Sequence, residues 1–100
     1  MAKAVLLLHR KRIHDDGAVS EVELWRVPAP VPGSAHPFKY SLFHGYPGRR
    51  AVGYDNERGK GDHRHRDGEE APCAFVSLDK LIADFESDVA AVRAEEGKDG

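Results

Sequence analysis

Residues 54–66 read YDNERGKGDHRHR, a short stretch crowded with side chains that can hold an anion or move a proton. His63 and His65 stand two residues apart, so on an extended segment both face the same side. An imidazole titrates near neutral pH and can give or take a proton there. Cleavage of RNA by its own 2′-hydroxyl needs a base, an acid and positive charge at the phosphate. It needs no metal, because the nucleophile lies within the substrate. His63 and His65 can serve as the base and the acid, and Lys60 can hold the phosphate. Asp55, Glu57 or Asp62 can orient an imidazole. These six form the catalytic set. Arg58, Arg64, Arg66 and Asn56, with Tyr54 as a ring on which a base can stack, form the substrate-binding set. Gly59 and Gly61 flank Lys60 and let the backbone approach a ligand closely, and successive N–H groups there could form an anion nest. The run GKGDH is not a phosphate-binding loop of the GxxxxGK[ST] type, whose Ser or Thr and following helix are missing.

Other readings of the stretch stay open. It could be a polar surface loop whose histidines are incidental. Asp62, His63 and His65 include ligand types for zinc or manganese, which would make a metal-dependent hydrolase. Arg64 and Arg66 beside the histidines are better explained by phosphate, so no metal and no cofactor is expected. A non-enzymatic module that binds nucleic acid or protein through its basic centre is a further alternative.

Charge is distributed unevenly. The chain has 100 residues and a net charge of -2. Residues 39–66 hold 7 basic and 3 acidic side chains, net +4, whereas residues 67–100 hold 3 basic and 10 acidic, net -7. A uniformly basic nucleic-acid coat is excluded, but a local basic site is not. The single cysteine, Cys73, allows no disulfide within the chain and no cysteine-based zinc knuckle. The run AVLLL at 4–8 is too short for a signal peptide or a membrane span. A cytoplasmic protein without a membrane segment is the expectation.

The elements that must position this chemistry can be read from periodicity. A first strand runs from Lys3 to about His9, and the charged stretch HRKR could continue it toward Ile13. Its triple leucine breaks strict alternation and suggests a central strand covered on both faces. Asp15-Asp16-Gly17 is a turn. A second strand covers Val19 to Val27, with Val22 and Leu24 on one face and Val19, Trp25 and Val27 on the other. Pro28, Pro30 and Pro32, followed by Gly33-Ser34, form a stiff connector. Phe38, Tyr40 and Leu42 alternate along a third strand. Tyr46-Pro47-Gly48-Arg49 has the residues of a type II turn, and a return strand follows through Arg50 to Tyr54.

Residues 55–72, nearly without apolar content, read as a long polar loop. Cys73 to Val76 reads as a short last strand. Ser77 caps a helix whose Leu78, Leu81, Ile82, Phe85, Val89 and Val92 form one apolar stripe. His9, His14 and His44 read as surface residues near strand ends. Tyr40 and Tyr54 read as half-buried, with their hydroxyls in water. The sum is one α+β domain over residues 1–100, ordered from about 3 to 95. It is a small antiparallel sheet of four or five strands with one C-terminal helix packed on it.

Several stretches resemble the TumE family: Tyr54 to Arg66, the Glu69-Glu70 pair, Phe75-Val76, and Leu81 with Asp84-Phe85. Trp25, the run PVPGS and the run FKY extend the likeness to roughly residues 3–92. An aromatic residue follows the proline near position 72 in that family, and Cys73 stands there in this chain. The resemblance implies a small toxin of a toxin–antitoxin pair, with a cognate helix-turn-helix antitoxin as partner. The functional set it implies is Asp55, Asn56, Glu57, Lys60, Asp62, His63 and His65. Many toxins of this size cut RNA, so RNA is the expected substrate. An exposed sheet edge in so small a domain also leaves room for a homodimer.

Overall fold

The computed structural model describes residues 3–56 and 59–97, so the expectations placed on Glu57 and Arg58 lie outside the described residues. Strand β1 spans Val5–Ile13, β2 Val19–Arg26, β3 Phe38–Tyr46, β4 Arg49–Asp55, β5 His63–Arg66 and β6 Glu69–Pro72; the helix α1 spans Leu78–Gly97. The strands follow one another across a single open sheet in chain order, each antiparallel to the next. The expected class, an antiparallel sheet with one C-terminal helix packed on it, is what forms.

Strand alternation and the helical stripe meet in one core. Val22, Leu24, Tyr40, Leu42, Val52 and Tyr54 are buried on one face of the sheet against Leu81, Phe85 and Val92 of α1. Ser77 caps the helix as its position suggests: the Lys80 N–H donates to Ser77 Oγ at 3.1 Å. The opposite face of the sheet carries Glu21, Glu23, Lys39, Ser41 and Asp55, as the strand registers require, and no element covers it among the described residues.

Three expectations are corrected. Residues 63–72 are not loop but the β5–β6 hairpin, closed by Asp67 (φ 51°) and Gly68 (φ 84°). Two successive positive φ values match the twist of a two-residue hairpin, and Asp-Gly is a sequence suited to them. Cys73 to Val76 is not a strand but a connector, tied down where the Cys73 N–H donates to the Asp62 carbonyl at 2.9 Å. Strand β1 is not central: it lies at the sheet's edge, with Val5, Leu6, Leu7 and Ile13 all exposed.

The hairpin is held from the helix. Asp88 stands three residues after Phe85 and four before Val92, on the apolar stripe, and is 7% exposed. Its carboxylate accepts the Tyr54 hydroxyl at 2.6 Å, Arg64 Nε at 2.9 Å, Arg64 Nη2 at 2.7 Å and Arg66 Nη1 at 3.5 Å. Burial first, and then the bond to Asp88, push the Tyr54 phenol above its usual range, so it remains a donor. Replacing Asp88 by Ala leaves Arg64 and Tyr54 without their acceptor. It is expected to lower stability by about 2–4 kcal/mol in urea unfolding. Glu95→Ala, which removes only an exposed partner of Arg66, should change it by less than about 0.5 kcal/mol.

Candidate active site

The segment entering β5 is built on the proline-rich connector. Gly33 (φ 97°) and Gly61 (φ 75°) cross so closely that a Cβ on Gly33 would stand 2.7 Å from the Gly61 nitrogen, and one on Gly61 2.9 Å from the Gly33 oxygen. Only glycine fits at either place. The Gly59 N–H donates to the Pro32 carbonyl at 2.7 Å.

Asp62 then gathers three donors from the connector and β3. They are Ser34 Oγ at 2.8 Å, His36 Nε2 at 2.7 Å and the Tyr40 hydroxyl at 2.5 Å. His36 is clamped between this bond and the Phe75 ring, stacked at 3.8 Å. Burial alone would raise the Asp62 carboxyl, but the bonds from Tyr40, His36 and Ser34 outweigh it and hold the group below its ordinary value of 3.8. Asn56, 1% exposed, completes the joint: Nδ2 donates to the Phe38 carbonyl at 2.6 Å, and the Tyr40 N–H donates to Oδ1 at 3.0 Å.

Alternation along β5 sends its four side chains to opposite faces. Arg64 and Arg66 turn toward α1 and Asp88, whereas His63 and His65 lie on the open face. His63 stands opposite Asp55 on β4, and His65 opposite Gly53 on β4 and Glu70 on β6. The empty position at Gly53 is filled by Arg50, whose Cδ lies 2.8 Å from where a Cβ on Gly53 would be. From there Arg50 Nη2 donates to His65 Nδ1 at 2.9 Å. Since Nδ1 accepts that bond, the neutral ring carries its hydrogen on Nε2, which lies 3.5 Å from Asp55 Oδ2.

His63 has the opposite tautomer. Its Nδ1–H donates to the Gly61 carbonyl at 2.7 Å, which leaves the lone pair on Nε2. The Glu70 carboxylate reaches both rings, with Oε1 3.6 Å from His63 Nε2 and Oε2 3.9 Å from His65 Nδ1. Both imidazoles are mostly shielded, at 13% and 15% side-chain exposure, while Arg50 is open at 44%.

Among the residues singled out from the sequence, the structure thus brings together His63, His65 and Asp55. Lys60 lies exposed in the turn before β5. Asp62 and Asn56 sit in the buried joint beside the site, and Tyr54, Arg64 and Arg66 lie on the helix-facing side of the sheet. Arg50 and Glu70 join the site although the sequence did not single them out. Glu70 could have been found from the Asp67-Gly68 turn, which pairs it with His65. Arg50 had only the side-chain gap at Gly53 as a signal.

Elsewhere, His44 is fully buried rather than at the surface, and Tyr40 and Tyr54 are buried with their hydroxyls on carboxylates rather than in water. Burial pushes the Cys73 thiol up, which keeps the sulfur protonated at neutral pH and suits packing better than attack. Within the described residues, three metal-type donors converge within 4.8 Å only at His9, Glu21 and Glu23, near the other edge of the sheet.

The fold is an open six-stranded antiparallel sheet with one C-terminal helix on one face and the two imidazoles of His63 and His65 on the other. The family model described as Toxin TumE matches residues 3–93. The chain belongs to the TumE family, toxins that pair with antitoxins. No curated protein and no solved structure matches it. No helix among the described residues is long and apolar enough to cross a membrane.

The Asp62 joint predicts a pH dependence of stability. Its folded carboxyl titrates below the ordinary 3.8. The stability it adds is therefore complete above that value and is lost as pH falls through the folded one. Asp62→Asn should lower stability by about 2–3 kcal/mol at pH 7. The gap between the two proteins should shrink below about pH 4. Urea titrations at pH 7 and pH 3 check this; a gap of equal size at both would show that the charge is not what holds the joint.

Proposed function

We propose that this toxin is a metal-independent endoribonuclease that works on the open face of the sheet, through attack of the substrate's 2′-hydroxyl on the adjacent phosphate. The observation that carries the reading is the placement of His63 and His65 on one face of β5 with Arg50, Asp55 and Glu70 around them. One ring offers a lone pair at Nε2 and the other offers a hydrogen at Nε2, with Arg50 at hand for the phosphate. In this scheme His63 Nε2 takes the 2′-proton, held in that tautomer by the Gly61 carbonyl. His65 acts in its imidazolium form: once Arg50 turns from Nδ1 to the phosphate, Nδ1 carries a proton facing Glu70, and Nε2, beside Asp55, delivers its own to the leaving 5′-oxygen, which returns the ring to neutral. Arg50 binds the phosphate, and Lys60 adds charge from the neighbouring turn. Glu70 faces His63 Nε2 at 3.6 Å and stabilises the imidazolium formed when that nitrogen takes the proton. Asp62 acts through the joint that sets where β5 begins. A cognate helix-turn-helix antitoxin is the partner that goes with this reading.

A non-enzymatic RNA- or protein-binding module is the competing class, and the same assay separates the two. Labelled RNA is incubated with the parent chain and with His63→Ala, His65→Ala and Arg50→Gln, each with and without EDTA. Parent cleavage should resist EDTA, and each histidine variant should fall by about 100-fold or more with its urea midpoint retained. Arg50→Gln should fall by about 10-fold or more. Parent cleavage abolished by EDTA, or equal cleavage by the histidine variants, would overturn the mechanism.

A further inference from the structure

A groove lies on the other side of the sheet and at its other edge. One helix is about 10 Å wide and six strands span about 24 Å, so α1 cannot cover the whole inner face. Beside it, over β1 and β2, remains a groove of about 540 Å³. Alternation brings Leu8, Arg10 and Arg12 of β1 to this face, with Arg10 opposite the buried Val22 and Arg12 opposite Ser20. Arg93 closes the groove from the helix, and its apolar floor includes Val22, Val89 and Ala90.

Three guanidinium groups thus surround the groove, against two carboxylates, Glu86 in its lining and Asp16 beside Arg93. Arg10 reaches Glu86 only at 3.7 Å, with both side chains more than half exposed. Arg93 Nη1 is buried and makes no hydrogen bond; Asp16 Oδ2 is 3.4 Å away. Arg12 makes no ion pair among the described residues. The groove wall also holds a chain of hydrogen bonds, His14 Nε2 to Ser20 Oγ at 2.8 Å and Ser20 Oγ to His44 Nδ1 at 2.7 Å. It fixes the Ser20 hydroxyl and the His14 ring in the lining.

From this we infer that the groove binds a nucleoside phosphate, with its phosphate on Arg10, Arg12 and Arg93 and its heterocycle on the floor of Val22, Val89 and Ala90. A phosphate dianion meets the excess of positive charge and takes bidentate hydrogen bonds from arginine. The apolar floor suits the face of a base, and the volume suits a mononucleotide rather than a bare anion. The source is either a free nucleotide or the phosphorylated end of an RNA strand. The inference uses none of the open-face residues and is read by binding, so a failure of RNA cleavage leaves it standing.

The test is calorimetric titration of the full chain with inorganic phosphate, adenosine, adenosine 5′-monophosphate, and an RNA hexamer with and without a 5′-phosphate. The monophosphate should bind about 10-fold or more tighter than either phosphate or adenosine. Arg10→Gln with Arg12→Gln should weaken it by about 10- to 100-fold. Both positions are exposed on an edge strand, so the urea midpoint should hold; should the double variant unfold, Arg12→Gln alone is used. With His63→Ala, so that no strand is cut, tighter binding of the hexamer with the 5′-phosphate than of the hexamer without it, lost on adding Arg12→Gln, assigns the site to an RNA end; equal binding of the two hexamers assigns it to a free nucleotide. Monophosphate binding no tighter than adenosine or phosphate, or unchanged in the arginine variants, overturns the inference.

Discussion

The carboxylate of Asp88 is the group on which the arrangement of this small protein turns. A charged residue on the apolar stripe of the only described helix would be strongly unfavourable if it stood alone. It is satisfied by Tyr54 from β4 and by Arg64 and Arg66 from β5. That set of contacts lets a strand of sequence HRHR lie against the core side of the sheet, because its inward arginines find a buried acceptor there. With the arginines turned inward, strand geometry leaves the histidines no choice but the open face. The candidate active site is in this sense a consequence of where the helix places one carboxylate.

A second constraint is the mismatch between one helix and six strands. The helix packs over the middle of the sheet and leaves both flanks of the inner face bare. On the β5 side the arginines reach back to Asp88 and bring that flank under the helix. On the β1 side Arg10 meets only the exposed Glu86, at 3.7 Å, and a groove stays open. The same residue type, alternating in the same way along two strands, thus has opposite consequences. The difference comes from the helix residue that each strand meets.

Much of the scaffold could be read directly from the residues. Val22 and Leu24, Phe38 to Leu42, the Tyr46-Pro47-Gly48 turn, the Ser77 cap and the helical stripe each signal themselves locally, by period or by turn chemistry. The β5–β6 hairpin did not, although Asp67-Gly68 is a strong turn signal. Its strands alternate cation with imidazole rather than apolar with polar, so hydrophobic periodicity sees a loop. Strand β1 misled in the other direction. Its leucines suggest burial, but an edge strand paired on one side only leaves Leu6 and Leu7 exposed.

By residue type and spacing alone, the sequence determined that His63 and His65 would share a side and that an anion-binding, proton-moving chemistry was within reach. It also determined the class of the fold, because apolar period is a local property of the chain. Only the tertiary structure decided which of the clustered charges are spent in holding the protein together. Asp62 is engaged by Ser34, His36 and Tyr40, and Arg64 by Asp88, while Arg50 and Glu70 are brought to the imidazoles from other strands. The physical reason is that a charged side chain carries no mark of its partner. Whether it serves stability or chemistry depends on the distance to a group many residues away, and that distance exists only once the chain has folded.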